Sequence, residues 1–198
     1  MQTYVSLFTK REDRGSNTII YDNRLKSFES SLSKLVNGYS MFSANTGSCE
    51  LLEEFTSPLP NLQIGAFMFK GTSLKSFNID MPNLECGYGM FLGCSMREET
   101  GVNVSPQFES FSSDLSKLKD GTFMFTACNN LKRFDTDLPS LLIGDNMFME
   151  AFNLKFNSSL ESLVRGRNMF RAVSLDAGSL LKIIHTIRDI KAEKDELA

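Results

Sequence analysis

The sequence predicts an α/β fold. It is expected to be a right-handed solenoid with a parallel β-sheet on one face, short helical or 3₁₀ returns, an N-terminal β cap and a C-terminal helix cap. Three observations predict it. Gly-x-x-Met-Phe recurs six times, beginning at Gly38, Gly65, Gly87, Gly121, Gly144 and Gly166. The residues upstream of each glycine keep register. Leucine stands three before it (Leu35, Leu62, Leu84, Leu118, Leu141, Leu163), leucine or methionine six before, and phenylalanine ten before (Phe28, Phe55, Phe77, Phe111, Phe134, Phe156). Thirteen before stand Leu25, Leu52, Leu74, Phe108 and Leu131, and only Asn153 breaks the column. Finally, successive Met-Phe pairs are 27, 22, 34, 23 and 22 residues apart. A basic length of 22 to 23 is too short for a propeller blade or helical hairpin and falls in the leucine-rich-repeat range. One such repeat cannot bury its apolar columns alone; stacking makes them a continuous core.

Each element follows from local chemistry. Residues 1–24 precede the first repeat. Tyr4 to Phe8 and Thr18 to Tyr21 read as two strands around a polar Arg-Glu-Asp-Arg-Gly-Ser turn, a β cap for the first core layer. Residues 25–175 form the six repeats, with strands expected near 26–30, 53–57, 75–79, 109–113, 132–136 and 154–158. Strand alternation turns Phe77 and Ile79 inward and Ser76, Asn78 and Asp80 outward. The inward position two after each Phe is mostly a hydroxyl (Ser30, Ser57, Ser113, Thr136, Ser158), which must find hydrogen bonds to backbone. The three-residue spacing of L-x-x-L-x-x-G predicts a helical or 3₁₀ turn, ended by a glycine free to take positive φ. Met-Phe then plugs the far side of the core. Residues 176–198 are the C-terminal cap: Ser179 is the expected N-cap, and Leu180, Ile183, Ile184 and Ile187 share one helical face.

Composition narrows the function. With 198 residues, 41% hydrophobic, 23% charged and a net charge of −3, the chain reads as one globular domain without the basic patch that nucleic-acid binding needs. Twelve of its seventeen phenylalanines are accounted for by the two repeating Phe columns. No apolar run approaches the roughly 18 residues of a membrane span, and Met1 to Arg11 has no secretory h-region. No membrane insertion and no cleaved signal are expected. Cys49, Cys86, Cys94 and Cys128 form no C-x-x-C pair, and the single histidine, His185, completes neither a usual zinc set nor a catalytic triad. Cys94 and Cys128 share a small-residue column with Asn45, Thr72, Ala151 and Val173, which reads as buried free thiols; their neighbouring repeats also place them within disulfide reach. No enzyme, metal site or cofactor is expected. Asp80, Asp114 and Asp137 share one outward column, read as a solvated acidic face rather than a glycosidase pair.

The pattern G-x-x-M-F-x-x-C-x-x-x-L-x-x-F-x-x-D-L-P-x-L resembles the BspA-like leucine-rich repeats of bacterial surface proteins, over about residues 25 to 175. It departs from them in Met-Phe for Ala-Phe and in Phe for the strand isoleucine. The Met-Phe variant is similar to repeats in proteins of gut bacteria and their phages, including tail-fibre-like proteins, where the array tends to end in a Leu-Asp-x-x-Ser-Leu helix. Here that segment is Leu175 to Leu180. The resemblance implies binding to a partner surface rather than catalysis. Three functions are open: a phage virion protein (tail fibre or appendage) that binds a host-surface protein or glycan or another virion chain; a bacterial surface adhesin; or an intracellular protein-binding scaffold. The virion reading implies assembly in the host cytoplasm and is compatible with a homotrimer. The adhesin reading places the protein on the bacterial surface.

Partner contacts are expected where the scaffold varies. One such place is the outward strand face: Glu54, Ser76, Asn78, Asp80, Ser112, Asp114, Arg133, Asp135 and Asp137. The others are the insertions after Met-Phe, around Ser43 to Cys49 and around Arg97 to Gln107, the latter with Arg97, Glu98, Glu99 and Asn103.

Overall fold

The computed structural model describes residues 10–12, 19–21, 25–44, 49, 51–94 and 108–185. Among the described residues the fold is mixed α/β, with parallel β-sheets and one helix. Six two-residue strands carry the repeating Phe: β3 (Ser27–Phe28), β4 (Glu54–Phe55), β5 (Ser76–Phe77), β6 (Ser110–Phe111), β7 (Arg133–Phe134) and β8 (Lys155–Phe156). Each falls within its expected window. β3 pairs with β4, and β5 to β8 form a second sheet in sequence order, all parallel and with Phe opposite Phe. The sheet is interrupted between β4 and β5, where the Lys75 N–H to Glu53 C=O bond (3.2 Å) still crosses.

The return path differs from the expected helical or 3₁₀ segment. Each L-x-x-L closes a single i→i+3 turn, such as Leu62 N–H to Leu59 C=O (3.2 Å) and Leu118 N–H to Leu115 C=O (3.0 Å). The chain then enters a second parallel ladder one residue before each glycine, through Asn37, Ile64, Cys86, Asp120, Ile143 and Arg165 without a break. From the glycine onward, alternate N–H groups donate to the following repeat. Gly65 bonds Cys86 (2.8 Å), Phe67 bonds Tyr88 (2.9 Å), Phe69 bonds Met90 (2.9 Å) and Gly71 bonds Leu92 (2.9 Å). The backbone polar groups are satisfied between repeats, so no helix is needed to satisfy them.

The repeating glycines do not serve a positive φ, which corrects the expectation. That conformation belongs to the residue two later: Ser40, Phe67, Gly89, Phe123, Asn146 and Asn168, all with φ between 51° and 57°. It recurs at Gly71, Gly93, Ala127, Glu150 and Ala172. The glycine column is instead steric. A Cβ on Gly38, Gly65, Gly87, Gly121 or Gly144 would lie 2.6 to 3.1 Å from the Sδ of the next repeat's Met68, Met90, Met124, Met147 or Met169. Each thioether lies on bare backbone, and any side chain there would displace it.

Two phenylalanine columns fill the interior. The Met-Phe rings Phe42, Phe69, Phe91, Phe125, Phe148 and Phe170 stack with centroids 5.4 to 5.7 Å apart. The strand rings stack at 5.5 to 6.1 Å. The two columns meet mainly edge to face, for example Phe111 against Phe125 at 4.8 Å, the arrangement that the ring quadrupole favours. Where Asn153 breaks the leucine column, the next residue, Leu154, takes the buried place and Asn153 is exposed. The hydroxyl column bonds backbone only in part, and the buried Ser113 Oγ has no hydrogen-bond partner among the described residues. Ser57 Oγ accepts the Ser30 N–H (2.8 Å), Thr136 Oγ1 accepts the Ser113 N–H (3.3 Å), and Ser158 Oγ donates to the Thr136 carbonyl.

At the N-terminal end, β1 (Lys10–Glu12) pairs antiparallel with β2 (Ile19–Tyr21). β2 lies where a strand is expected, but its partner lies in the stretch read as a turn, because ladder pairing is a backbone property that charged side chains tolerate. Tyr4 to Phe8 lie outside the described residues. At the C-terminal end, α1 spans residues 177–185 within the described chain. Its N-cap is Asp176, not Ser179: Asp176 Oδ1 accepts the Ser179 N–H (2.7 Å). That bond holds the Asp176 carboxyl below the usual carboxylate range. Ser179 is buried, and its Oγ accepts the Phe156 N–H (3.0 Å), closing the edge of β8. Ile183 packs inward, whereas Leu180, Leu181 and Ile184 are exposed. The buried face is therefore 179/183 rather than the full isoleucine–leucine stripe, because Ser179 turns its own side of the helix toward β8. Ile187 lies outside the described residues.

Candidate functional site

The outward strand face is built by parity. Because each repeating Phe points inward, residues one before, one after and three after it point outward. Glu54, Ser76, Asn78, Asp80, Ser112, Asp114, Arg133, Asp135 and Asp137 are all exposed. Asp80, Ser112, Asp114, Ser116, Asp135 and Asp137 line one shallow depression of about 470 Å³. Inside it, Asp80 Oδ1 accepts the Asp114 N–H (2.9 Å) and Asp114 Oδ1 accepts the Ser116 N–H (2.8 Å). Arg133 reaches Asp135 at 2.8 Å and offsets one of the four carboxylates. The depression is thus acidic, with Asp80 and Asp114 oriented by backbone. Glu54 sits on the separate β3–β4 sheet, and Arg97, Glu98, Glu99 and Asn103 lie outside the described residues. Among the described residues, no three His, Cys, Asp or Glu side chains are grouped to hold a metal, and no helix is long and apolar enough to cross a membrane.

Beside this face, one column alternates in charge along the stack: Lys26, Glu53, Lys75, Glu109, Lys132. Lys75 pairs with Glu53 at 2.7 Å and Lys132 with Glu109 at 3.0 Å. The Lys75 ammonium holds the Glu53 carboxyl below its ordinary range, and Lys119 does the same to Glu85. These exposed pairs neutralise one another along the column and contribute little to stability.

The turn side carries a second candidate that parity reasoning on the strands misses. Tyr39, Phe67, Tyr88 and Phe123 form an aromatic row along the second ladder, with centroids 6.1, 5.1 and 5.8 Å apart. Lys70 Nζ lies 5.4 Å from the Phe67 centroid, within cation–π range. Phe67 and Phe123 occupy the left-handed position that recurs in every repeat, so their backbone belongs to the coil and it is the aromatic side chains that distinguish them. Gly89 makes the row feasible: a Cβ there would stand 2.6 Å from the Phe67 ring. The signal in the sequence is the aromatic content of the two variable places in G-x-x-M-F.

The cysteines are interior. Cys94 Sγ donates to the Phe69 carbonyl (3.1 Å) and Cys128 Sγ to the Phe91 carbonyl (3.2 Å), each in the preceding repeat. Burial pushes the Cys94 thiol up to about 12 and Cys128 well above its ordinary value. Both are free thiols and poor nucleophiles. His185 is exposed on α1. Compared with known families, curated proteins and solved structures, the chain shows no significant match to any of them.

Proposed function

We propose that this chain is a right-handed, leucine-rich-repeat-like solenoid of the BspA-like class that binds or builds rather than catalyses. In this reading it is a phage virion protein, a tail fibre or related appendage, that engages a protein or glycan on the host surface or another virion chain. The observation that carries the binding reading is the division within each strand. Inward positions repeat from copy to copy, while the exposed neighbours change and gather four carboxylates around one depression. A surface freed from packing and held on a rigid ladder is where recognition residues accumulate. The virion assignment rests on the resemblance of the Met-Phe repeat.

The test has two arms. Fluorescently labelled protein is titrated onto a panel of gut bacterial cells, as wild type and as the triple variant Asp80→Lys, Asp114→Lys, Asp137→Lys. Loss of at least about tenfold in bound label is expected for the variant, since charge reversal at a complementary interface is repulsive. Undiminished binding by a folded triple variant would exclude the acidic face. In parallel, mass spectrometry of purified particles from a culture producing the protein should find it in the virion fraction; its recovery only with cell envelopes would favour a bacterial adhesin.

A further inference from the structure

We propose that the turn-side ladder continues between molecules, the last repeat of one copy docking on the first repeat of a second copy, head to tail. Inside the chain the rule is uniform: the N–H groups at the glycine and at the second, fourth and sixth residues after it donate to the next repeat. In the fifth repeat Gly144 donates to Arg165 (2.8 Å), Asn146 to Arg167 (2.8 Å), Phe148 to Met169 (3.0 Å) and Glu150 to Arg171 (2.9 Å). The sixth repeat has the same donors, on Gly166, Asn168, Phe170 and Ala172, and no acceptor meets them among the described residues. Among the described residues α1 meets the strand side, where Ser179 bonds β8. Gly166, Asn168 and Ala172 are exposed.

The opposite end offers the matching half. By the same rule the carbonyls of Asn37, Tyr39, Met41 and Ser43 would accept from a preceding repeat; among the described residues no donor reaches the first three, whereas Ser43 already has a partner and is not counted as open. The reverse bonds also match. Val164 and Arg165 both donate to Leu142 C=O (3.0 Å each), so the Val36 and Asn37 N–H groups are placed to donate to a Val164 carbonyl. Side chains fit this register. Val164, 75% exposed, would cover half-buried Val36, and Arg167 would lie over the Tyr39 ring, itself 49% exposed. An unpaired ladder edge is a template for another chain. Donors at one end and acceptors at the other make the contact heterologous, so it propagates instead of closing as a two-fold dimer. The inference is independent of which surface binds a host.

Sedimentation velocity of the full chain from micromolar to millimolar concentration tests it, with Val164→Lys blocking the last repeat and Tyr39→Lys blocking the first. Wild type is expected to grow with concentration into species larger than dimers. Each variant, melting at the wild-type midpoint, is expected to lose association by at least about tenfold. An equimolar mixture of the two variants retains one intact pair of ends and should give a 1:1 dimer and nothing larger. A wild type that is monomeric throughout, a closed dimer, a Val164→Lys chain that associates like wild type, or a mixture that stays monomeric would each overturn the proposal.

Discussion

The two long sides of the repeat stack hold together by different means. On the strand side each copy contributes two paired residues, and the sheet lapses between β4 and β5. Order there comes from the ring column, which crosses the gap with Phe55 and Phe77 at 6.1 Å. On the turn side there are only single bridges, yet the ladder runs unbroken from Asn37 to Arg165. Its continuity comes from alternate N–H donation and from each methionine seated on the previous glycine. The strand side thus depends on side-chain volume, and the turn side on its absence.

Truncation of the ring column is the most damaging way to break that comparison. Phe111 is fully buried between Phe77 and Phe134 and touches Phe91 and Phe125 edge-on. Phe111→Ala is expected to cost about 3–5 kcal/mol in urea unfolding, as for buried aromatic truncations generally. Phe28→Ala, at a half-buried terminal position, should cost measurably less, because each repeat depends on its neighbours. Equal losses at the two sites would argue against a stack.

Adding volume on the turn side should act less strongly. A Cβ on Gly121 falls 2.9 Å from Met147 Sδ, so Gly121→Ala is expected to cost about 1–3 kcal/mol by overpacking. Gly166 has no following methionine and its nearest foreign atom is the flexible Leu163 tip at 3.1 Å, so Gly166→Ala should leave the unfolding midpoint nearly unchanged. If Gly121→Ala and Gly166→Ala behave alike, the methionine seat is not what the glycine column serves.

The smallest effect at neutral pH concerns the thiols. Their folded-state values are raised above the ordinary thiol value of 9.0 by burial. The sign follows: this stability is fully present below about pH 9, and for Cys94 it is lost as pH rises from there toward about 12, because the unfolded chain ionises first. At pH 8, iodoacetamide should label half-buried Cys86 while Cys94 and Cys128 react only on unfolding. Mass mapping showing either buried thiol labelled at the Cys86 rate would contradict the seated arrangement.

Register was legible along the chain: which residues repeat, where the six strands fall, that they run parallel with Phe over Phe, and which strand positions face solvent. This is so because strand alternation and a fixed period are properties of the chain read along its length. The features that could not be read along the chain lie between repeats. The role of the glycines is set by a methionine one repeat away, so their conservative reading as conformational hinges misplaces the positive φ by two residues. Leu154 replaces Asn153 because burial selects the apolar side chain within reach. Asp176 caps α1 because Ser179 is claimed by the Phe156 N–H across the last repeat. The ring contacts that join the aromatic row also arise only when copies stand side by side: the aromatic residues can be read in the variable places of G-x-x-M-F, but their contact cannot.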